Sequence, residues 1–155
     1  MKIGITSDHA GHDLRVDLIP RLRELGHDIV DRGPASAERT DYAAWGARLA
    51  EEVAAEQFDL GIAICGSGIG ISIACNKVQG IRAACVSESY SARMSRAHNN
   101  ANVLCFGARV VGPDVAFDLC REFLATEFEG GRHAGRVAQL VQLDGGDTSF
   151  IENVC

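Results

Sequence analysis

Residues 62–76 read IAICGSGIGISIACN, and this stretch restricts the fold more tightly than any other in the chain. Leu60 to Ile64 is a short apolar run of the kind that forms a strand buried on both faces. Ile69, Ile71, Ser72, Ile73 and Ala74 fit the buried start of a helix. Between the two stand Gly66, Gly68 and Gly70, with Cys65 before them and Ser67 inside. A strand that turns through alternating glycines into a helix gathers orphan backbone N–H groups at one point. That point attracts an anion. A thiol beside it is favoured as a thiolate. Gly-x-Gly-x-Gly alone is a weak signal, since a tight packing turn has the same pattern. It is not the Gly-x-Gly-x-x-Gly dinucleotide fingerprint, and it lacks the lysine and Ser/Thr of a P-loop.

The rest of the chain repeats the same strand-then-helix order. Lys2 to Thr6 reads as a buried strand with Ser7 to Gly11 as its exit loop. Leu14, Leu18, Ile19, Leu22 and Leu25 recur at helical spacing; Pro20 is expected to kink or divide that helix, and Gly26 to stop it. His27 to Asp31 is the second strand. Tyr42 to Gln57 is a helix with Thr40 or Asp41 as cap. Phe58 to Ile64 and Arg82 to Val86 are the third and fourth strands, and Ser87 to His98 is a helix capped by Ser87 or Ser89. Ala101 to Phe106 is the fifth strand. Helices from Gly112–Pro113 to Thr126 and from Arg132 to Leu143 follow. Five such alternations predict an α/β, three-layer, Rossmann-like fold: a five-stranded parallel sheet with helices on both faces. The expected domain is 1–143, with 144–155 a C-terminal tail. Ligands of such sheets bind beyond the carboxyl ends of the strands, near the switch in strand order. Asp8, His9, Cys65 to Gly70, Ser87, Glu88 and Arg109 are all expected on that edge.

Composition limits the function. At 155 residues and a net charge of −6, the chain suits one globular domain and disfavours a nucleic-acid surface. No apolar run is long enough to cross a bilayer, and the first residues read as a strand and not a signal peptide, so the cytosol is the expected compartment. The six cysteines include no Cys-x-x-Cys pair, and most sit in apolar runs as small hydrophobes; disulfides are not expected. Cys65 stands apart because it closes a strand and opens the glycine turn.

Other residues carry weaker signals. Asp8–His9 is a metal pair, an acid–base pair or a solvated loop, and no further spacing favours a metal. His98, followed by Asn99 and Asn100, ends a helix, where a cation suits the dipole and Asn suits the stop. Arg132 and Arg136 share one helical face, which fits a phosphate or carboxylate about as well as a solvated basic face. Arg93 and Arg96 are most simply surface residues. Together, a thiol base, a donor-rich turn, two histidines and an anionic ligand fit proton abstraction next to a carbonyl.

Five ordered blocks carry a resemblance over Lys2 to about Val137. They are SDHAG near the N-terminus, ERTDY at 38–42, CGSGIGISIACNK at 65–77, SRAHNNANVLCFGARVVG at 95–112 and EGGRHAGRV at 129–137. In these blocks the chain resembles the B-type ribose-5-phosphate isomerases, a family that includes galactose-6-phosphate isomerase subunits. The resemblance implies aldose–ketose isomerisation of a sugar phosphate through an enediolate, without metal or organic cofactor. It implies a homodimer or dimer of dimers with shared active sites. By position, Cys65 matches the proton-moving base, Ser67 the hydroxyl beside it, and the N–H groups from Gly66 through Gly68 to Gly70 the anion hole. His98 matches the ring-opening residue, assisted by Asp8. His9, Arg109, Arg132 and Arg136 match phosphate ligands, and Asn99 a ligand of sugar hydroxyls. His98, Asn99 and Arg109 are implied to come from the neighbouring subunit. Members that lack the cysteine use a glutamate at the position of Ile71, so the chain resembles the cysteine-dependent branch. Asn100 stands where many members have Asp, and Cys75 where Ala is common. Ribose 5-phosphate is the expected substrate. An allose, galactose or tetrose phosphate is the alternative, and a non-catalytic sugar-phosphate-binding subunit is the third reading. Tyr42, Ala43 and the tail are the expected discriminators of sugar length.

Overall fold

Side-chain alternation along three central strands builds the molecule. In a computed structural model, which describes residues 1–153, the strands are β1 (Lys2–Ser7), β2 (Asp28–Asp31), β3 (Leu60–Cys65), β4 (Ala83–Cys85) and β5 (Val103–Gly107). They form one parallel sheet in the order β2-β1-β3-β5-β4. The helices are α1 (His12–Glu24), α2 (Tyr42–Ala54), α3 (Ile69–Cys75), α4 (Ser89–Asn99), α5 (Pro113–Ala125) and α6 (Arg132–Asp144). Short 3-10 turns occupy His9–Gly11 and Ser149–Asn153.

Ile62, Ile64, Leu104 and Phe106 point to one face, where Leu18 and Leu22 of α1, Ala92 of α4 and Leu119 and Phe123 of α5 cover them. Ala63, Cys65, Val103 and Cys105 point to the other, against Leu49 and Val53 of α2 and Ile71 and Cys75 of α3. This period of two explains why the β3 run is apolar throughout: both faces are buried. It also fixes the direction of Cys65, toward the α2/α3 side.

The predicted three-layer sheet is present, and the differences from expectation are local. Pro20 does not divide the helix; α1 runs through it to Glu24. Gly26 takes φ +86° as the stop, as expected. Glu88, and neither serine, caps α4: its carboxylate accepts from the N–H groups of Tyr90 and Ser91 at 2.7 and 2.8 Å. An acceptor with two oxygens satisfies two orphan donors where a hydroxyl would serve one. Asp41 occupies the cap position of α2 but makes no side-chain capping bond. Arg96 is not a plain surface residue. Its guanidinium donates to Asn100 Oδ1 and the Ala101 carbonyl and lies over the Phe123 ring. Cys75, Cys105 and Cys120 are buried, Cys85 is exposed on the edge strand, and Cys155 lies outside the described residues.

A buried charge fastens the first crossover. Arg15, 2% exposed, donates to Ser7 Oγ at 3.0 Å and to the Pro34 carbonyl at 2.7 Å, and its Nε lies 3.1 Å from Asp31 Oδ1. It thereby ties the end of β1 to the loop 32–41 that precedes α2.

The glycine turn is equally confined. Gly68 has φ +80°, and a Cβ there would stand 2.6 Å from the Phe106 carbonyl carbon. Gly80 has φ +82° with open space around it. Both Gly→Ala changes incur the left-handed backbone penalty of about 1–2 kcal/mol, but only Gly68→Ala adds a clash with backbone. Urea denaturation is expected to rank Gly68→Ala below Gly80→Ala by at least about 1 kcal/mol, the scale of a single overpacked site. Equal losses would contradict the close contact. A second expectation concerns pH. Burial, and then the charge of the amino terminus, hold the His27 imidazole below its ordinary pKa, and its Nδ1 is buried without a partner among the described residues. The unfolded chain therefore binds more protons there than the folded chain once pH falls below about 6.5. Stability should drop as the solution is acidified through that value. His27→Gln should reduce the slope in denaturation curves at about pH 7 and pH 5.5; an unchanged slope would rule His27 out as its source.

Candidate active site

The sheet order sets the first half of the site. The chain goes from β1 outward to β2 and then returns to β3 on the other side of β1, so the switch in strand order lies between β1 and β3. Ligands of open α/β sheets bind beyond the strand exits at such a point. Asp8 follows β1, and its N–H donates to the Ile64 carbonyl of β3 at 3.1 Å. Asp8 is 5% exposed, and its Oδ1 accepts from the N–H groups of Ala10 at 2.9 Å and Gly11 at 3.1 Å. That capping bond shapes the turn that presents His9. The imidazole Nδ1 of His9 lies 3.1 Å from the Thr40 carbonyl oxygen and 3.4 Å from the Thr40 backbone nitrogen; both contacts engage Nδ1 and leave Nε2 without a partner among the described residues. Thr40 is held in turn by the indole N–H of Trp45, 2.9 Å from its Oγ1. Thr40 sits in the loop fastened by Arg15.

Cys65 ends β3 and is 4% exposed. Its Sγ accepts from the Gly68 N–H at 3.1 Å. The Ser67 Oγ accepts from the Ile69 N–H at 3.3 Å, with the side chain at the surface. Among the described residues, the N–H groups of Gly66, Ser67 and Gly70 have no acceptor. The phenol ring of Tyr42 lies against Gly70, where a Cβ would meet it at 2.7 Å. From β5, the N–H groups of Ala108 and Arg109 donate to the carbonyls of Cys65 and Gly66 at 2.9 and 3.1 Å. The Arg109 guanidinium reaches the turn, 3.6 Å from the position of a Cβ on Gly66. Arg109 thus stands beside Gly66 of its own chain, where the resemblance implied a residue from the neighbouring subunit.

The second half of the site is elsewhere. α4 starts beyond the carboxyl end of β4 and runs back to the start of β5, so His98 and Asn99 stand at the amino-terminal edge of the sheet. The loop after α5 docks there through the Glu129 N–H, which donates to the Ala97 carbonyl at 3.0 Å. This brings α6, with Arg132 and Arg136, to His98. His98 and His133 stack with centroids 4.1 Å apart and planes within 6°. Loss of solvent, and then the charges of His98 and Arg132, hold His133 below its ordinary pKa. Five residues of strand span roughly 17 Å. The His98 group and the Cys65 group are therefore on opposite edges of one sheet, and one chain does not bring them together. Thr40, expected only as a possible cap of α2, engages His9 while Asp41 takes the cap position, and Glu129 and His133, assigned no role from sequence, flank His98. The sequence signal for the latter pair is its spacing, four apart on entry to a helix.

The sequence pattern of the Ribose/Galactose Isomerase family matches residues 3–140. The ribose-5-phosphate isomerase B of Escherichia coli is 46% identical over 143 residues, 92% of this chain and 96% of its own length. Among solved structures, that of Clostridium thermocellum ribose-5-phosphate isomerase B shares 49% identity with a TM-score of 0.92, covering 94% of this chain and 99% of the other. The Mycoplasma genitalium ribose-5-phosphate isomerase B, solved with bound ribulose-5-phosphate, shares 36% identity with a TM-score of 0.89, covering 94% and 97%. With the fold matched end to end and the family pattern spanning β1 to α6, this chain belongs to the Ribose/Galactose Isomerase family.

Proposed function

We propose that this protein is an aldose–ketose isomerase that interconverts ribose 5-phosphate and ribulose 5-phosphate, with Cys65 as the base. The observation that carries the assignment is the position of the Cys65 sulfur at the end of β3, beside the switch in strand order, among N–H groups that have no acceptor among the described residues. The relatives named as ribose-5-phosphate isomerases support the substrate.

The chemistry follows from that geometry. Cys65 removes the proton from C2 of the open-chain aldose, and the electron pair moves to the C1 oxygen. The resulting oxyanion meets the N–H groups of Gly66, Ser67 and Gly70, whose donors are already oriented and cost no reorganisation. The proton of the C2 hydroxyl passes to the C1 oxygen, the same thiol returns its proton to C1, and the electron pair left on the C2 oxygen forms the ketose carbonyl. The Ser67 hydroxyl holds the sugar oxygens beside the thiol. Ile71, where another branch of the family carries its glutamate, is 0% exposed and takes no part. Asp8 has one carboxylate oxygen engaged by backbone, which leaves the other to assist ring opening. The free Nε2 of His9 and the guanidinium of Arg109 hold the phosphate from the same chain.

His98, Asn99, Arg132 and Arg136 complete the site from a second copy, since they lie on the far edge of their own sheet. His98 opens the furanose ring, Asn99 binds hydroxyls, and the two arginines bind phosphate. A dimer with two shared sites satisfies this arrangement by symmetry.

A steady-state panel of pentose, hexose and tetrose phosphates tests the substrate; ribose 5-phosphate should give the highest kcat/KM. Cys65→Ala should lower kcat more than about a hundredfold, a barrier increase of ~2.7 kcal/mol, with the thermal midpoint nearly unchanged. Cys85→Ala should leave activity in place. A Cys65→Ala rate within about tenfold of the parent would remove the thiol from the mechanism. The shared site has its own check. Cys65→Ala and His98→Asn chains, each inactive, are unfolded together and refolded in equal amounts. Half the dimers are then mixed, and each has one intact site, so roughly a quarter of the parent activity should return. No recovery would mean that each site is built from one chain.

A further inference from the structure

The group around His98 has a geometry that isomerisation does not require. The Nε2 atoms of His98 and His133 each lie 3.7 Å from the same oxygen, Glu129 Oε2. One ligand atom from each of the three residues falls within 4.8 Å of the other two. A tetrahedral ion with bonds of about 2.0–2.1 Å has ligand-to-ligand edges of roughly 3.4 Å, so the two histidine–carboxylate distances are already close to that spacing. We propose that His98, Glu129 and His133 form a binding site for a divalent transition metal of the zinc class, and that an ion held there inhibits the enzyme.

Three features favour this reading. The donors come from two segments locked together by the Glu129–Ala97 backbone bond, so their approach does not depend on flexible side chains alone. His133 is 5% exposed, so one imidazole is fixed from within the fold. Side-chain exposures of 33% for His98 and 57% for Glu129 leave a path for entry and an outward position for water. Two imidazoles and one carboxylate suit zinc, cobalt or nickel; magnesium and calcium prefer oxygen alone.

Two features set the cost of binding. Arg132 Nε donates to His133 Nε2 at 3.3 Å and must let go. The charges of Arg132 and Arg136 also oppose a cation, so binding is expected to be of moderate strength. The stacked rings, 6° from parallel, do not aim both lone pairs at one point. His98, the more exposed, turns toward the ion and breaks the stack. Inhibition rests on the isomerase reading above, because the ion occupies His98 and displaces Arg132; binding itself does not.

Cobalt(II) titration of the purified protein tests the site. The expected result is one ion per chain with visible d–d bands, no sulfur-to-cobalt charge transfer, and displacement by zinc. Glu129→Gln and His133→Gln should each weaken binding by at least about tenfold. Glu129→Gln alone is sufficient if the buried His133 variant fails to fold. Cobalt bands absent at about 100 µM, charge-transfer bands from a thiol, or a Glu129→Gln titration like the parent's would each overturn the site. In the isomerase assay, zinc should inhibit the parent, a chelator should restore it, and Glu129→Gln should need at least about tenfold more zinc for the same inhibition. Zinc that binds without inhibiting would overturn the inhibitory role. A metal-free protein that binds cobalt as expected but isomerises no sugar phosphate would overturn the isomerase reading and leave the metal site standing.

Discussion

The structure depends on how closely the turn after β3 is pressed onto the end of β5. Gly68 and Gly107 face each other across that contact: a Cβ on either would fall within 2.6 Å of the other's backbone segment. Nothing larger than hydrogen fits there, and the turn must therefore leave the sheet steeply. A steep exit prevents its N–H groups from continuing the ladder. Gly68 gives its N–H to the Cys65 sulfur, and those of Gly66, Ser67 and Gly70 have no acceptor among the described residues. The same constraint that makes the turn tight makes it a donor surface. Steric confinement and oxyanion chemistry have one cause.

A second layer of order reaches His9 from the side. Burying a guanidinium is expensive unless its charge and its donors are met, and an unmet buried charge costs about 3–5 kcal/mol. Arg15 is met by Ser7, Pro34 and Asp31, three groups from three successive segments. The loop fixed this way carries Thr40, whose backbone engages Nδ1 of His9 and leaves Nε2 outward. A structural ion pair thus sets the orientation of a proposed phosphate ligand without touching the substrate.

The two edges of the sheet divide the chemistry. Helices in an α/β sheet run antiparallel to the strands, so whatever ends α4 stands opposite whatever ends β3. His98 and Cys65 are separated by the fold itself, and no side-chain movement closes a strand length. A single chain therefore holds two incomplete half-sites. The opposite edge has its own electrostatic character: two stacked imidazoles, a carboxylate and two arginines in close quarters, with loss of solvent and then the charges of His98 and Arg132 holding His133 below its ordinary pKa.

Much of this was legible in residue order. Alternating strand and helix patterns specified the parallel sheet, because a strand buried on both faces has to be apolar throughout, and β3 is. Gly66 to Gly70 marked the donor turn, and Cys65 the thiol in it, since only a strand end followed by glycines exposes backbone in that way. What pattern did not reveal was partnership. Glu88 displaced the serines as a cap because its carboxylate reaches two N–H groups. Pro20 was absorbed without a break in α1. Arg96, read as surface, turned inward to satisfy carbonyls. Thr40, Glu129 and His133 acquire meaning only beside His9 and His98. Local sequence determined which segments would be strand, turn and helix, because periodicity and backbone sterics act over a few residues. Tertiary structure alone decided which side chains meet, because strand order and crossover direction bring together residues that are far apart along the chain.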